Sequence, residues 1–286
     1  MGLCKIPNYL KKLVENVGGN NICVYNQRDL IKNLCSKENI KDLSRKLGVS
    51  DRLLYYWVKG ERPIPIAKLI KLAEFENKKI LCDVYENTEY VYINGVKQKT
   101  RLCKYLTPEL AYLVGYIFGD GHIGNYSFSI CDCSESNIKL AKKLLKDIFN
   151  LDVNYRFRSD RNCYEIGTSW KVGVLILNKV FEMPVGSKNK RLAMPSLIRD
   201  SNMLNKSMFC FGLMTADFGG NSLTQTSYKI LEDVKKVLRK MEIRTCIYGP
   251  YGPYKGNESK KWILSFDKAS QFKITNSLNN AIKLFS

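Results

Sequence analysis

Two stretches of the chain are apolar almost all the way round a helix, Leu110 to Gly121 and Phe209 to Asp217. A helix with no polar face has to be buried on most sides. Each stretch leads into a hairpin with a strand of period two, Tyr126 to Ile130 and Ser222 to Thr226. An amphipathic helix comes next in both, Ser136 to Ile148 and Ser227 to Lys240. Two more strands follow each helix, Val153 to Arg158 with Tyr164 to Ser169, and Thr245 to Tyr248 with Trp262 to Phe266. Each series closes on a helix, about Lys171 to Val180 and Ser270 to Leu284. The order α-β-β-α-β-β-α occurs twice, which is the mark of an internal duplication.

The two apolar helices share a finer pattern. Gly115 and Gly119 lie four apart in the first, Gly212 and Ala216 in the second, and each helix ends on a carboxylate, Asp120 and Asp217. A glycine inside a helix costs about 1 kcal/mol against alanine, so a close backbone approach is expected to compensate. Helices with small residues on one stripe can cross closely, which would bring the last turns and their two aspartates together. Thr107-Pro108-Glu109 opens the first helix with an N-cap, a proline at the first helical position and an acid in the first turn.

The amino-terminal part reads differently. Residues 1–38 suggest short helices with a turn at Gly18-Gly19-Asn20-Asn21. Ile40, Leu43 and Leu47 have helical spacing, Gly48 breaks the helix, and Ser50 is a good N-cap for a second helix, Asp51 to Lys59. Leu53, Leu54 and Trp57 form its inner face, leaving Asp51, Arg52, Tyr55, Tyr56 and Lys59 outward. A helix with such an outer face fits the major groove, which makes Arg52, Tyr55, Tyr56 and Lys59 candidate DNA contacts. Tyr90 to Ile93, Asn94-Gly95 and Val96 to Lys99 form a hairpin pattern. The predicted organisation is an all-α helix-turn-helix domain at 1–85, a β-ribbon connector at 86–105, and two halves at 106–195 and 196–286.

Charge narrows the function. The chain carries 46 Lys and Arg against 27 Asp and Glu, a formal net charge of +19. An excess of this size needs a polyanion or membrane surface to explain it, unless it merely solvates Lys-rich helix faces. Interleaved residues such as Tyr155-Arg156-Phe157-Arg158 favour nucleic acid. The longest apolar run, Leu110 to Phe118, falls short of the ~20 residues a bilayer requires. No charged-then-apolar leader opens the chain, so a cytoplasmic, nucleoid-associated protein is expected. With one histidine, His122, and ten cysteines lacking any CxxC pair, nucleases built on several histidines are excluded and zinc is not expected.

The run Leu47-Gly48-Val49-Ser50 to Tyr56-Trp57-Val58-Lys59-Gly60-Glu61-Arg62-Pro63 resembles the lambda-repressor-like helix-turn-helix family. Gly115-Tyr116-Ile117-Phe118-Gly119-Asp120-Gly121 and Gly212-Leu213-Met214-Thr215-Ala216-Asp217 resemble the paired motifs of single-chain LAGLIDADG homing endonucleases. Met183-Pro184, Lys188 to Leu192 and Pro195 resemble the basic linker of that family, and the resemblance covers residues 106–286. It implies an α+β fold of two pseudo-symmetric αββαββα halves whose sheets form a saddle over duplex DNA, in a monomer. It also implies Mg²⁺ or another divalent cation held by Asp120 and Asp217 with the carbonyls of Gly119 and Ala216, and cleavage of both strands across the minor groove. Arg156, Arg158, Lys188, Lys190 and Arg191 are then expected on DNA, and Lys171 and Lys268 are possible accessory lysines.

The second half departs from the family pattern. Phe218 stands where a glycine is usual, Thr215 replaces the first acid, and nine residues precede the next helix where the first half has fifteen. The retained aspartates favour a Mg²⁺-dependent endonuclease, which the family resemblance implies to be intron-associated. The clipped hairpin favours a non-cleaving DNA-binding regulator or an RNA-splicing maturase derived from one. Residue 1 is neither Cys nor Ser and the chain does not end in His-Asn, so an intein is not expected.

Overall fold

Thr107 caps the helix Pro108–Asp120 by accepting from the Leu110 amide, and the helix then has no exposed side chain from Leu110 to Phe118. It is buried against Met203–Asp217, which Asn202 caps in the same way. The computed structural model describes residues 4–5, 22–24, 27–75, 88–93, 99–188, 191–252 and 260–285. Two compact units result: Met1–Lys5 with Tyr105–Ser286, and Ile6–Lys104.

In the larger unit the order of elements is the same after each central helix. Pro108–Asp120 is followed by the strands Gly121–Ile123 and Ser127–Asp132, the helix Glu135–Phe149, and the strands Tyr155–Arg158 and Cys163–Ser169. Met203–Asp217 is followed by Phe218–Gly219, Ser222–Gln225, Tyr228–Lys240, Thr245–Tyr251 and Lys261–Phe266. Each set of four strands forms an antiparallel sheet with the same order, first-second-fourth-third. The first hairpin of the second sheet is shorter, two and four residues against three and six, while its third strand is longer, seven against four. The closing helix of the first set is regular only over Lys171–Leu175 and widens to a π-helix over Ile176–Val180; that of the second is Lys268–Phe285. The sheets cover the amphipathic helices, whose inner residues, among them Leu144, Leu145, Leu231 and Val234, are buried. Phe118 and Phe209 meet edge to face between the central helices at 5.5 Å.

The smaller unit contains the helices Arg28–Lys37, Ile40–Leu47, Asp51–Lys59 and Ile66–Phe75. Gly48 adopts φ +63° after the second, and Ser50 accepts from the Leu53 amide to start the third. Leu43, Leu47, Leu54, Trp57 and Leu69 are buried among these helices. The unit is not all-α. Ile22–Val24 is a buried strand between Tyr90–Ile93 and Ile64–Pro65, with Thr100–Arg101 at the far edge. Pro65 is tolerated because its strand lies at an edge. The segment expected to connect two domains therefore supplies two strands of this sheet. The turns expected at Gly18 to Asn21 and at Asn94-Gly95 lie outside the described residues. Among the described residues no helix is long and apolar enough to cross a membrane.

Candidate active site

The central helices cross at their small residues. A Cβ on Gly115 would stand 2.0 Å from the Phe209 carbonyl oxygen, and one on Gly212 would stand 1.9 Å from the Tyr112 carbonyl oxygen. Neither backbone can yield, so only glycine permits the crossing. One turn further on, a Cβ on Gly119 would stand 2.3 Å from the Cβ of Ala216 and 2.7 Å from Asp217 Oδ2. The last turns of both helices thus lie side by side, and Asp120 and Asp217 face one seam. Thr215, in place of an acid, accepts from the Tyr112 hydroxyl at 3.0 Å and donates to the Phe211 carbonyl at 2.9 Å, joining the helices from the side.

The strands hold the two carboxylates differently. Gly121 pairs with Ile130 and Phe218 with Leu223, so Asp132 and Gln225, two residues further along each strand, are equivalent. Gln225 Nε2 donates to Asp217 Oδ2 at 2.5 Å. Asp132 is a third acid at the seam. It accepts from the Tyr116 hydroxyl at 2.6 Å, the Ser134 amide at 2.7 Å and Asn137 Nδ2 at 2.9 Å.

These surroundings set the proton affinities. Burial pushes the Asp120 carboxyl up to about 8, the charges of Asp217 and Asp132 add to the rise, and Lys188 opposes it. Burial also raises Asp217, against Lys188 and the Gln225 hydrogen bond. Like charges gathered in a partly buried seam resist ionisation until a cation joins them.

A cation of the protein's own is already present. Lys188 Nζ donates to the Phe118 carbonyl at 2.9 Å and to the Gly119 carbonyl. Burial lowers its proton affinity, while Asp217 and Asp120 raise it. A cleft of about 340 Å³ opens beside it, lined by Gly119, Lys188, Asp217, Gln225 and Lys261 among others. Of the two aspartates only Asp217 lines this cleft, with Gly119, while Asp120 lies within electrostatic reach of Asp217 at the seam. Hard oxygens of this kind suit Mg²⁺, with water and substrate phosphate completing its shell. Among the described residues no group of three or more His, Cys, Asp and Glu side chains forms a cage for an ion.

The remaining expected residues are more scattered. Arg156 and Arg158 lie on the sheet of the first half, bound to Glu165 at 2.8 and 3.2 Å, and Arg158 also pairs with Asp160 at 2.8 Å. Arg191 is exposed, and Lys190 lies outside the described residues. Lys171 stacks over the Tyr126 ring at 4.7 Å, and Lys268 is exposed at the first position of the last helix; neither lines the cleft. Lys261 does line it, at the start of its strand. On Asp51–Lys59, Arg52 donates to the Tyr56 hydroxyl at 3.2 Å, Arg62 stacks on the Tyr56 ring, and Lys59 on the exposed ring of Tyr55. Asp132 and Lys261 carry no signal in the sequence that marks them as site residues; strand register and the cleft bring them out.

No family model matches the chain. It is 32% identical over 129 residues to the isomerizing glutamine–fructose-6-phosphate aminotransferase of Methanocaldococcus jannaschii, over 43% of this chain and 11% of that protein. The chain thus spans about a tenth of the length of that curated relative. The structure is similar to mesophilic variants of the homing endonuclease I-DmoI, with TM-score 0.45 and 20% identity over 60% of this chain and 96% of the other. It is similar to I-DmoI in complex with DNA and Ca, with TM-score 0.44 and 20% identity over 60% and 90% of the two chains. Full-length DUF199/WhiA from Thermatoga maritima is similar at TM-score 0.41 and 9% identity, over 63% and 61%.

Proposed function

We propose that the chain is a LAGLIDADG-type endonuclease that binds duplex DNA as a monomer and hydrolyses its phosphodiester bonds with a divalent cation. The observation that carries this reading is the placement of Asp120 and Asp217 on one seam, at the ends of two helices that only glycines allow to cross. The helix C-termini add partial negative charge to that of the carboxylates, which favours a cation there. Asp120, Asp217 and the carbonyls of Gly119 and Ala216 would hold it. When bound, the cation would polarise a scissile phosphate and offset charge on the leaving oxygen. Gln225 orients Asp217, Asp132 sits beside Asp120, and Lys261 offers a positive charge to phosphate in the cleft. The two pseudo-symmetric sheets lie along the duplex, with Arg156, Arg158 and Arg191 on or beside them. Asp51–Lys59 enters a major groove with Arg52, Tyr55 and Lys59, as in the lambda-repressor-like family.

Supercoiled plasmid carrying duplexes selected for binding tests this reading. With Mg²⁺ the protein nicks or linearises it, and the Asp120→Asn/Asp217→Asn double variant binds it without cutting. Equal binding with no cutting by either would instead leave the second reading, a DNA-binding regulator. The short first hairpin of the second sheet favours that second reading.

A further inference from the structure

The linker that carries Lys188 is tied down on both sides. The Gly186 amide donates to the Ile123 carbonyl at 2.8 Å, in the first half. In the second half the Leu192 carbonyl accepts from the Ser227 hydroxyl at 2.6 Å, and the Met194 amide donates to the buried carboxylate of Asp233 at 3.1 Å. Between these anchors Lys188 turns inward, and its ammonium rests on the carbonyls that end the helix Pro108–Asp120. A basic linker residue that served only DNA phosphates would extend into solvent, as Arg191 does.

We propose that Lys188 is a tethered cation that occupies the seam, and that Lys188 and a divalent ion exclude each other at the Gly119 carbonyl. The inference rests on the reading above that Asp120 and Asp217 hold such an ion. An ammonium and a divalent ion drawn to the same carboxylates and the same carbonyl repel strongly in a partly buried site. The ion therefore enters only when Lys188 leaves, and a DNA phosphate near the cleft gives the ammonium another partner. Lys188 is then a gate that keeps the carboxylates neutralised until substrate arrives, rather than a general phosphate contact. Because the gate and the ion compete, removing the ammonium tightens ion binding in the absence of DNA.

Titration of the DNA-free protein with Mn²⁺, followed by the loss of the free-ion paramagnetic resonance signal, tests this. Lys188→Met binds Mn²⁺ about tenfold more tightly than wild type or more, Lys188→Arg does not, and adding Asp217→Asn to Lys188→Met abolishes the gain. Lys188→Gln, which keeps a donor for the carbonyl without the charge, replaces the methionine variant should that variant not fold. Mn²⁺ also raises the melting temperature of the neutral variant by more than that of wild type. Equal or weaker binding by the neutral variants overturns the gate. If wild type still binds Mn²⁺ through Asp217 in that case, the proposed function stands. Absence of Mn²⁺ binding in every DNA-free variant also overturns the gate, and the proposed function is then decided by the plasmid assay, where substrate phosphate completes the ion's shell.

Discussion

At the end of Pro108–Asp120 the strand residue beside the acid is Asp132, and at the end of Met203–Asp217 it is Gln225. The two ends share strand order, pairing and a small-residue crossing, yet one offers a second carboxylate and the other an amide. An amide that donates to Asp217 favours its charged form; a carboxylate beside Asp120 favours the protonated form. Two helix ends followed by the same strand order are therefore chemically unequal seats, and charge at the first depends more on a cation. The outer hairpins differ too, short in the second half and longer in the first.

The largest expected effect comes from breaking what the two ends share. Gly212→Val would set side-chain atoms against the Tyr112 carbonyl, where even a Cβ lies 1.9 Å away. We expect a loss of about 3 kcal/mol, the upper part of the range for overpacking, in urea unfolding. Gly219→Ala, at a position with open space and ordinary backbone angles, should stay within about 0.5 kcal/mol of wild type.

A smaller effect separates the ends by pH. Asp120 titrates near 8 in the folded chain and near its ordinary value of 3.8 when unfolded. Between those values the folded state binds more protons, so the stability of the metal-free protein falls as pH rises and levels off above about 8. Melting curves should show Asp120→Asn several degrees above wild type at pH 8 and little changed at pH 4. Asp132→Gln, which makes the first end resemble the second, should flatten the wild-type slope by part of that amount. An unchanged slope in both variants would dissociate the pH response from these acids.

The smallest effect concerns the outer face of the first sheet, where Glu165 holds Arg156 and Arg158. Glu165→Gln frees the Arg156 guanidinium for phosphate, while Arg158 stays paired with Asp160, and should tighten duplex binding by about twofold or more. It should also steepen the salt dependence, by a slope of about −0.9 for each further phosphate that a freed guanidinium neutralises. Fluorescence anisotropy across a salt series reads both quantities.

The helix pair is legible in the sequence because its requirements are local. Glycines four apart, a capping threonine and a terminal aspartate each leave a mark within one helix. Ile22–Val24 is not legible: three residues show no period, and its partner at Tyr90–Ile93 lies far along the chain. The residues before Arg28 consequently suggest helix where the structure has a buried strand. Asp132 is hidden for a related reason, since only the pairing of Gly121 with Ile130 shows that it stands beside the helix end. Lys188 sits in a run of basic residues typical of a solvated loop. Anchors at Gly186 and Leu192, made to elements distant in sequence, turn it inward.

Strand-resolved cleavage of a bound duplex, each strand labelled at one end, tests most directly that Asp120 and Asp217 share cations with a nucleotide backbone. With Mg²⁺ the wild type should release both labelled products. Asp120→Asn and Asp217→Asn should each bind as wild type does and lose at least one product by about a hundredfold or more. Undiminished cleavage of both strands by either variant would contradict the account.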